Sequence, residues 1–320
     1  MVVHYPDETR PISWRHPVLA LGNFDGVHRG HLKIVERVRR VAEERGASAI
    51  AMTFDPHPPR VVRPDKAAPL LMTTPQKLDA LSKAGIQGVV IVRFTPEMSR
   101  WEPETFVRTV LVEWMHVAEV WVGANFLFGR DRSGNFSMLR SLGARYGFRA
   151  EKIDAVRYKD FVVSSTRIRR LVGEGRVDEA GALLGHHYYI DGSVIQGRQR
   201  GRDLGFPTAN LCSDNELIPP RGVYATTTQI DAVVYPSVTN VGFRPTFKDQ
   251  QRGANSEDDG QLTVETHLFD FDDELYGHRL RVGFVQRLRD ERRFETVDAL
   301  RAQIAADCDR ARSLFDSMSL

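Results

Sequence analysis

Val18-Leu19-Ala20-Leu21-Gly22-Asn23-Phe24-Asp25-Gly26-Val27-His28-Arg29-Gly30-His31 is the stretch that decides the fold. Its first four residues form an apolar run of strand length, Gly22 and Gly26 let the backbone turn tightly, and a helix begins at about Gly30. Its clearest register is Leu32 to Glu44. A helix that follows a strand through such a turn offers unpaired N–H groups to an anion. His28 and His31, three residues apart, can then face one bound group, one finishing the loop and the other in the first helical turn. Taken alone, two histidines near a helix start also fit an ordinary surface. A zinc site is a rival that lacks an obvious third ligand nearby.

The same alternation continues outward. Ala49 to Phe54, Val89 to Phe94 and Ala118 to Val122 read as strands, and Lys77 to Ala84 and Pro103 to Trp114 as helices. Such alternation predicts a parallel sheet covered by helices on both faces. Its ligands sit beyond the carboxyl ends of the strands, so the loops after Leu21, Phe54 and Val122 are the places for chemistry. The second loop, Thr53-Phe54-Asp55-Pro56-His57-Pro58, carries two prolines and reads as a stiff loop rather than a helix start. The third is Gly123-Ala124-Asn125-Phe126-Leu127-Phe128-Gly129. In Ser164-Ser165-Thr166-Arg167-Ile168-Arg169, hydroxyls can cap a helix while Arg169 reaches toward phosphates. A solvated face bearing Arg167, Arg169 and Arg170 is the alternative.

After about Gly185 the texture changes. Tyr188 to Ile195, Gly222 to Thr228 and Leu262 to Phe269 alternate between turn residues, as in an antiparallel sheet or barrel. A final amphipathic helix, Thr296 to Phe315, offers Val297, Leu300, Ile304 and Leu314 as buried positions. The boundary falls after the helical stretch Val177 to Leu184, giving domains 1–185 and 186–320. Residues 192–210 hold glycines at 192, 197, 201 and 205 and arginines at 198, 200 and 202. This is an arch that could close over phosphates, not a Walker A loop, and a glycine-punctuated hairpin is its plain alternative. Thr208 and Asn210, two apart in an extended segment, can present oxygens to one Mg²⁺. Glu265 and His267 fall on the strand face opposite Leu262, Val264 and Leu268, where a carboxylate can equally be an exposed strand residue. Lys248 to Gly260 reads as a mobile, polar hairpin loop.

Composition bounds these readings. At 320 residues the chain holds about two domains, and 42% hydrophobic with 27% charged residues is globular rather than disordered. A net charge of +2 gives no support to a nucleic-acid partner. Two cysteines make no disulfide framework and fit a reducing compartment. Val110 to Phe128 is interrupted by Glu113, His116 and Glu119, so no membrane span is expected. Met1 to Arg15 carries Asp7 and Glu8 and is not a secretory signal, so a cytoplasmic location is expected.

The glycine and histidine loop resembles the nucleotidyltransferase version of the "HIGH" signature, in which the histidines stabilise charge on an α-phosphate. In their order the front segments resemble the FMN adenylyltransferase module of the prokaryotic bifunctional riboflavin kinase and FAD synthetase family. The likeness runs over residues 18–170, including Met72-Thr73-Thr74-Pro75-Gln76-Lys77 and Arg93-Phe94-Thr95-Pro96-Glu97. Leu127 departs from it, for many members carry a polar or basic residue between the two phenylalanines. The glycine arch, Pro207-Thr208-Ala209-Asn210, Asn240 to Phe247, Glu265-Thr266-His267, Tyr276-Gly277, Arg287 to Glu291 and Phe294 resemble riboflavin kinase.

The resemblance implies a Rossmann-like nucleotidyltransferase domain followed by an antiparallel β-barrel riboflavin kinase domain with a C-terminal helix. It implies a transferase that makes FMN from riboflavin and then FAD from FMN, with ATP as co-substrate and Mg²⁺ as cofactor. In the front module it assigns ATP to Gly22, Asn23, Phe24, Asp25, His28, His31, Asn125, Ser164, Thr166 and Arg169, and flavin to Asp55, Pro56, His57 and Pro58. In the rear module it assigns ATP to Gly197, Gly201, Arg202, Gly205, Thr208 and Asn210, Mg²⁺ to Thr208 and Asn210, flavin to Arg287 and Phe294, and the base to Glu265. Expected partners are riboflavin, FMN, FAD and ATP, with no nucleic acid or membrane, in a monomer or transient homo-oligomer. An enzyme with one live module, and a flavin or RNA binder without ATP turnover, are the competing readings.

Overall fold

The computed structural model describes residues 1–196, 204–245 and 260–318. Contacts divide the chain into two compact units, Met1–Ser165 and Thr166–Leu320.

The first unit runs β1 (Val2–Tyr5), β2 (Val18–Leu21), α1 (Arg29–Glu44), β3 (Ala49–Asp55), α2 (Pro58–Val62), α3 (Thr74–Lys83) and β4 (Gly88–Arg93). It continues through α4 (Pro103–Phe106), prolonged as a π-helical segment over Val107–Trp114, then β5 (Glu119–Gly123), the hairpin β6 (Leu127–Phe128) and β7 (Gly134–Asn135), α5 (Phe136–Tyr146), β8 (Arg149–Ile153) and the hairpin β9 (Arg157–Tyr158) and β10 (Phe161–Val162). Six parallel strands form one sheet in the order β1-β4-β3-β2-β5-β8. Successive side chains of a strand point to opposite faces, so a strand buried on both faces is apolar throughout. Leu19 and Leu21 accordingly join Val107, Val110 and Leu139 on one side, while Val18 and Ala20 meet Ile34, Val35 and Val38 of α1 on the other. β2 is flanked by β3 and β5, and the strand order reverses there. Such switch points open a crevice beyond the carboxyl ends of the strands.

Two expectations change in this unit. Pro58 opens the short helix α2, with His57 at its N-cap. A first-turn N–H has no intrahelical partner, so proline loses nothing there and its fixed φ suits the helix. Helix α3 begins at Thr74, ahead of Lys77, because Thr73 caps it through Gln76 in a reciprocal pair of hydrogen bonds.

The second unit runs α6 (Ser165–Gly173, its first residue shared with the first unit), α7 (Val177–Leu184), β11 (Tyr188–Ile195), β12 (Ala209–Ser213), β13 (Gly222–Ile230), β14 (Val233–Pro245), β15 (Gly260–Leu268), β16 (Arg279–Arg289) and α8 (Val297–Met318). The strands close into an antiparallel barrel, β11-β12-β15-β14-β13-β16. Its interior holds fully buried hydroxyls: Thr226 bonds Ser237 at 2.8 Å and Thr239 at 2.7 Å, and Thr239 bonds Thr266 at 2.9 Å. Buried hydroxyls are tolerable only when bonded, and this group satisfies its members mutually. The outer face, Val223, Ala225, Val238, Val285 and Leu288, packs against α8.

Helix α8 buries a different stripe from the expected one. Cys308, Ala311 and Phe315 are its buried apolar residues, with Ile304 and Leu314 packed beside them, whereas Val297 is 65% exposed. Asp307 is also buried, held by Arg289 at 2.7 Å and by Gln303 at 2.8 Å. A charge interrupts the apolar period, which hid the face from the sequence pattern.

Candidate active sites

The loop after β2 builds the first site. Gly26 takes φ 87°, and Phe24 and Val27 take φ 49° and 37°, left-handed values that strain a side chain and recur at ligand-binding turns. The buried Asp25 carboxylate holds the turn by accepting the Leu71 N–H at 3.0 and 3.2 Å. The chain then enters α1 with His28 as N-cap, its Nδ1 accepting the His31 backbone N–H at 3.3 Å. Gly30 makes room for this cap, since a Cβ there would lie 3.1 Å from His28 Cε1.

The two imidazoles stack, with centroids 3.7 Å apart and planes 12° from parallel. They therefore share one side of the helix start. His31 Nδ1 is buried without a hydrogen-bond partner. Burial, then His28 and Lys77, push the His31 pKa well below its ordinary 6.5. Because Nδ1 of His28 accepts, its ring proton sits on Nε2, making that nitrogen a donor.

Ser165 Oγ, at the end of the first unit, donates to the Asp25 carbonyl at 2.9 Å. Thr166 follows it, and Arg169, four residues beyond Ser165, shares its helix face. Ser164 precedes the helix, half-buried, and Asn125 is exposed in the turn after β5.

At the end of β3, Asp55 accepts the Thr74 hydroxyl at 3.0 Å, with Pro56, His57 and Pro58 following. Aromatic rings border this segment: Phe54 meets Phe94 at 5.9 Å and Phe106 at 6.2 Å, and Phe128 meets Phe106 at 6.2 Å and Phe126 at 5.2 Å. They come from four separate parts of the chain, so only folding assembles them. Leu127 is 44% exposed, while the two phenylalanines beside it remain stacked. Lys77 was also absent from the sequence-derived set, because a helical lysine normally lies in solvent. Here it is buried, donating to Thr53 Oγ1 at 3.3 Å.

In the barrel, register builds the second site. Glu265 is paired with Asn210 on one side and with Asn240 on the other. Directly paired residues share a face, so a carboxylate stands between two amides. Val264, Thr266 and Leu268 are buried, whereas Glu265 and His267 are half-buried on the other face, as the alternation required; Leu262 is exposed near the strand's start. Thr208 lies just before β12. Its segment is held to β15 by His267 Nδ1, 2.8 Å from the Pro207 carbonyl, and by Phe206 edge-on to His267 at 5.6 Å. Gly205 precedes it with φ 83°. Gly197, Gly201 and Arg202 of the arch, and the 248–260 loop apart from its last residue, lie outside the described residues.

Arg287 lies on β16, and Phe294 lies in the segment between β16 and α8. Arg287 donates to the Arg221 carbonyl at 2.5 Å and pairs with Asp290 at 2.9 Å, leaving its buried Nε without a partner. Phe294 lies 4.8 Å from the Arg292 guanidinium. Among the described residues no helix is long and apolar enough to cross a membrane, and no group of three or more His, Cys, Asp or Glu side chains is arranged to hold a metal.

A parallel α/β unit with paired histidines at a helix start, joined to a barrel with a carboxylate between amides, defines a two-module nucleotide-dependent transferase. The FAD synthetase family matches residues 11–167, and the riboflavin kinase family matches residues 184–315. A bifunctional riboflavin kinase/FMN adenylyltransferase of Pseudomonas fluorescens is 36% identical over 297 residues, 93% of this chain and 92% of that protein. One from Listeria monocytogenes is 34% identical over 318 residues, 98% of this chain and 97% of its own length. A crystal structure from Streptococcus pneumoniae, described as a macrolide-efflux protein, superposes with TM-score 0.85 at 26% identity, covering 97% of this chain and 98% of that one. The chain belongs to the bifunctional riboflavin kinase/FMN adenylyltransferase family.

Proposed function

We propose that this chain converts riboflavin and ATP into FMN and ADP in its rear domain, 186–320, and FMN and ATP into FAD and pyrophosphate in its front domain, 1–185. The reading is carried by the contrast between the two sites: stacked histidines at a helix start in one, a half-buried carboxylate between amides in the other.

The kinase nucleophile is a neutral ribityl hydroxyl, so it needs a base. Glu265 takes that proton as the hydroxyl oxygen attacks the γ-phosphorus and ADP departs. Asn210 and Asn240 orient the carboxylate, and Gly205 joins Gly197, Gly201 and Arg202 in holding ATP. Arg287 and Phe294 are assigned to the flavin. Thr208 and Asn210 offer neutral oxygen donors, which fit a Mg²⁺ that needs only one or two protein ligands when nucleotide phosphates supply others. Such an ion, when bound, neutralises phosphate charge.

In adenylyl transfer the nucleophile is the FMN phosphate, already anionic, and no base is required. Its oxygen attacks the α-phosphorus while the bond to pyrophosphate breaks. The obstacle is repulsion between anions and charge build-up, which the α1 amino terminus, the His28 Nε2–H and Arg169 oppose. A neutral His31 beside His28 avoids two cations in one stack. Gly22, Asn23, Phe24, Asp25, Asn125, Ser164 and Thr166 shape the rest of the nucleotide site. Asp55, Pro56, His57 and Pro58, with the rings of Phe54 and Phe128, hold the flavin, whose flat surface suits aromatic faces.

ATP use and two free cysteines fit a reducing cytoplasm. A time course with riboflavin and Mg-ATP, following FMN, FAD, ADP and pyrophosphate together, tests the reading. FMN followed by FAD supports it, and absence of either product refutes it.

A further inference from the structure

Lys77 is a charge the two reactions described above do not use. The side chain is 7% exposed although it sits on α3, whose Asp79 and Lys83 pair in solvent. Its Nζ donates to Thr53 Oγ1 at 3.3 Å, and Thr53 Oγ1 donates to the Asn23 carbonyl at 3.1 Å. The ammonium is thereby fixed at the carboxyl ends of β2 and β3, against the turn that leads to His28. It has three donors, and the Thr53 hydroxyl takes one; among the described residues it forms no ion pair within 4 Å.

The neighbouring carboxylates are engaged elsewhere, Asp25 by the Leu71 N–H and Asp55 by the Thr74 hydroxyl. They attract Lys77 at longer range, yet burial outweighs them and its pKa is lowered. Lys77 also contributes to keeping His31 neutral, and His31 Nδ1 is buried there without a partner. A buried ammonium whose desolvation its neighbouring carboxylates do not offset destabilises a fold, where a methionine of similar length would not. A turn that keeps such a charge in reserve suits an anion that arrives from outside.

We propose that Lys77 is a further anion-binding residue of the nucleotide cradle, meeting the polyphosphate from α3 while His28 and the α1 amino terminus meet it from the loop. This inference rests on the adenylyl-transfer reading of the site. It is tested with Lys77→Met, which removes charge and hydrogen bond, and Lys77→Gln, which keeps a donor for Thr53 without the charge. FAD formation from supplied FMN and ATP should fall by about 10² to 10³ in both variants, while FMN formation from riboflavin is unchanged. Thermal unfolding of the first unit should occur no lower than in wild type. Inorganic pyrophosphate, which should raise the wild-type midpoint, should no longer do so. Either variant within about threefold of wild-type FAD formation, or a loss accompanied by a lowered midpoint, overturns the proposal; threefold is only about 0.65 kcal/mol. Wild-type protein that makes no FAD refutes the parent reading instead.

Discussion

Replacing His28 separates two duties of one imidazole. Nδ1 caps α1, and removing an N-cap acceptor costs about 0.5–2 kcal/mol. For a unit the size of Met1–Ser165, about 1 kcal/mol corresponds to roughly 2–4 °C in melting temperature. In the proposed chemistry Nε2 donates to developing charge, and loss of such a donor costs about 10² to 10³ in rate. His28→Ala loses both. His28→Asn restores a capping oxygen, since asparagine is among the favoured N-caps, but supplies no imidazole N–H to the phosphate. The expected pattern is a few degrees of destabilisation in the alanine variant, recovery of most of it in the asparagine variant, and deep loss of FAD formation in both. FMN formation should be unaffected throughout. Differential scanning calorimetry with separate assays of the two half reactions reads all three quantities in each variant. Restored FAD formation in His28→Asn would refute the chemical role, and a matching fall in kinase activity would refute the separation of the sites.

Glu265→Gln should lower FMN formation by about 10² to 10⁴ and leave FAD formation from supplied FMN intact, measured by chromatography of the flavins. His31 gives the first unit a pH dependence: below about pH 6.5 the unfolded chain takes up a proton that the folded ring refuses. Stability should then fall by up to about 1.4 kcal/mol per pH unit on acidification until the folded pKa is reached, and His31→Gln should flatten that slope in denaturant titrations. Equal slopes would contradict the buried neutral ring. Gly192→Ala places a Cβ 2.2 Å from the Cys212 carbonyl oxygen, so β11 and β12 must part. The barrel should lose about 1–3 kcal/mol, with kinase activity failing first on warming.

How much of this was legible follows from what each residue had to signal. Val18 to Leu21 announced a strand buried on both faces because every side chain in it is apolar, and the glycines and histidines after it marked the turn proposed to meet phosphate. Strand β1 supplies only four residues at a sheet edge, too few to establish a period. In the barrel, alternation marked three of the six strands but not which side faces in: Thr226, Thr239 and Thr266 fill the interior while Val223 and Val238 meet a helix. Asn240 gained meaning only through the register that sets it beside Glu265, and the phenylalanine cluster only through tertiary packing. Lys77 stood in the sequence only as the end of a family-like segment and the start of a helical register, because nothing local distinguishes a buried lysine from a solvated one.

Isotope placement tests the central claim most directly, because the two modules are assigned different phosphorus atoms of ATP. With riboflavin and ATP labelled at the γ-phosphorus, label should appear in FMN and persist in FAD. With the α-phosphorus labelled, FMN should remain unlabelled and FAD should carry the label. Label from the α-position in FMN, or FAD that gains none from it, would contradict the account.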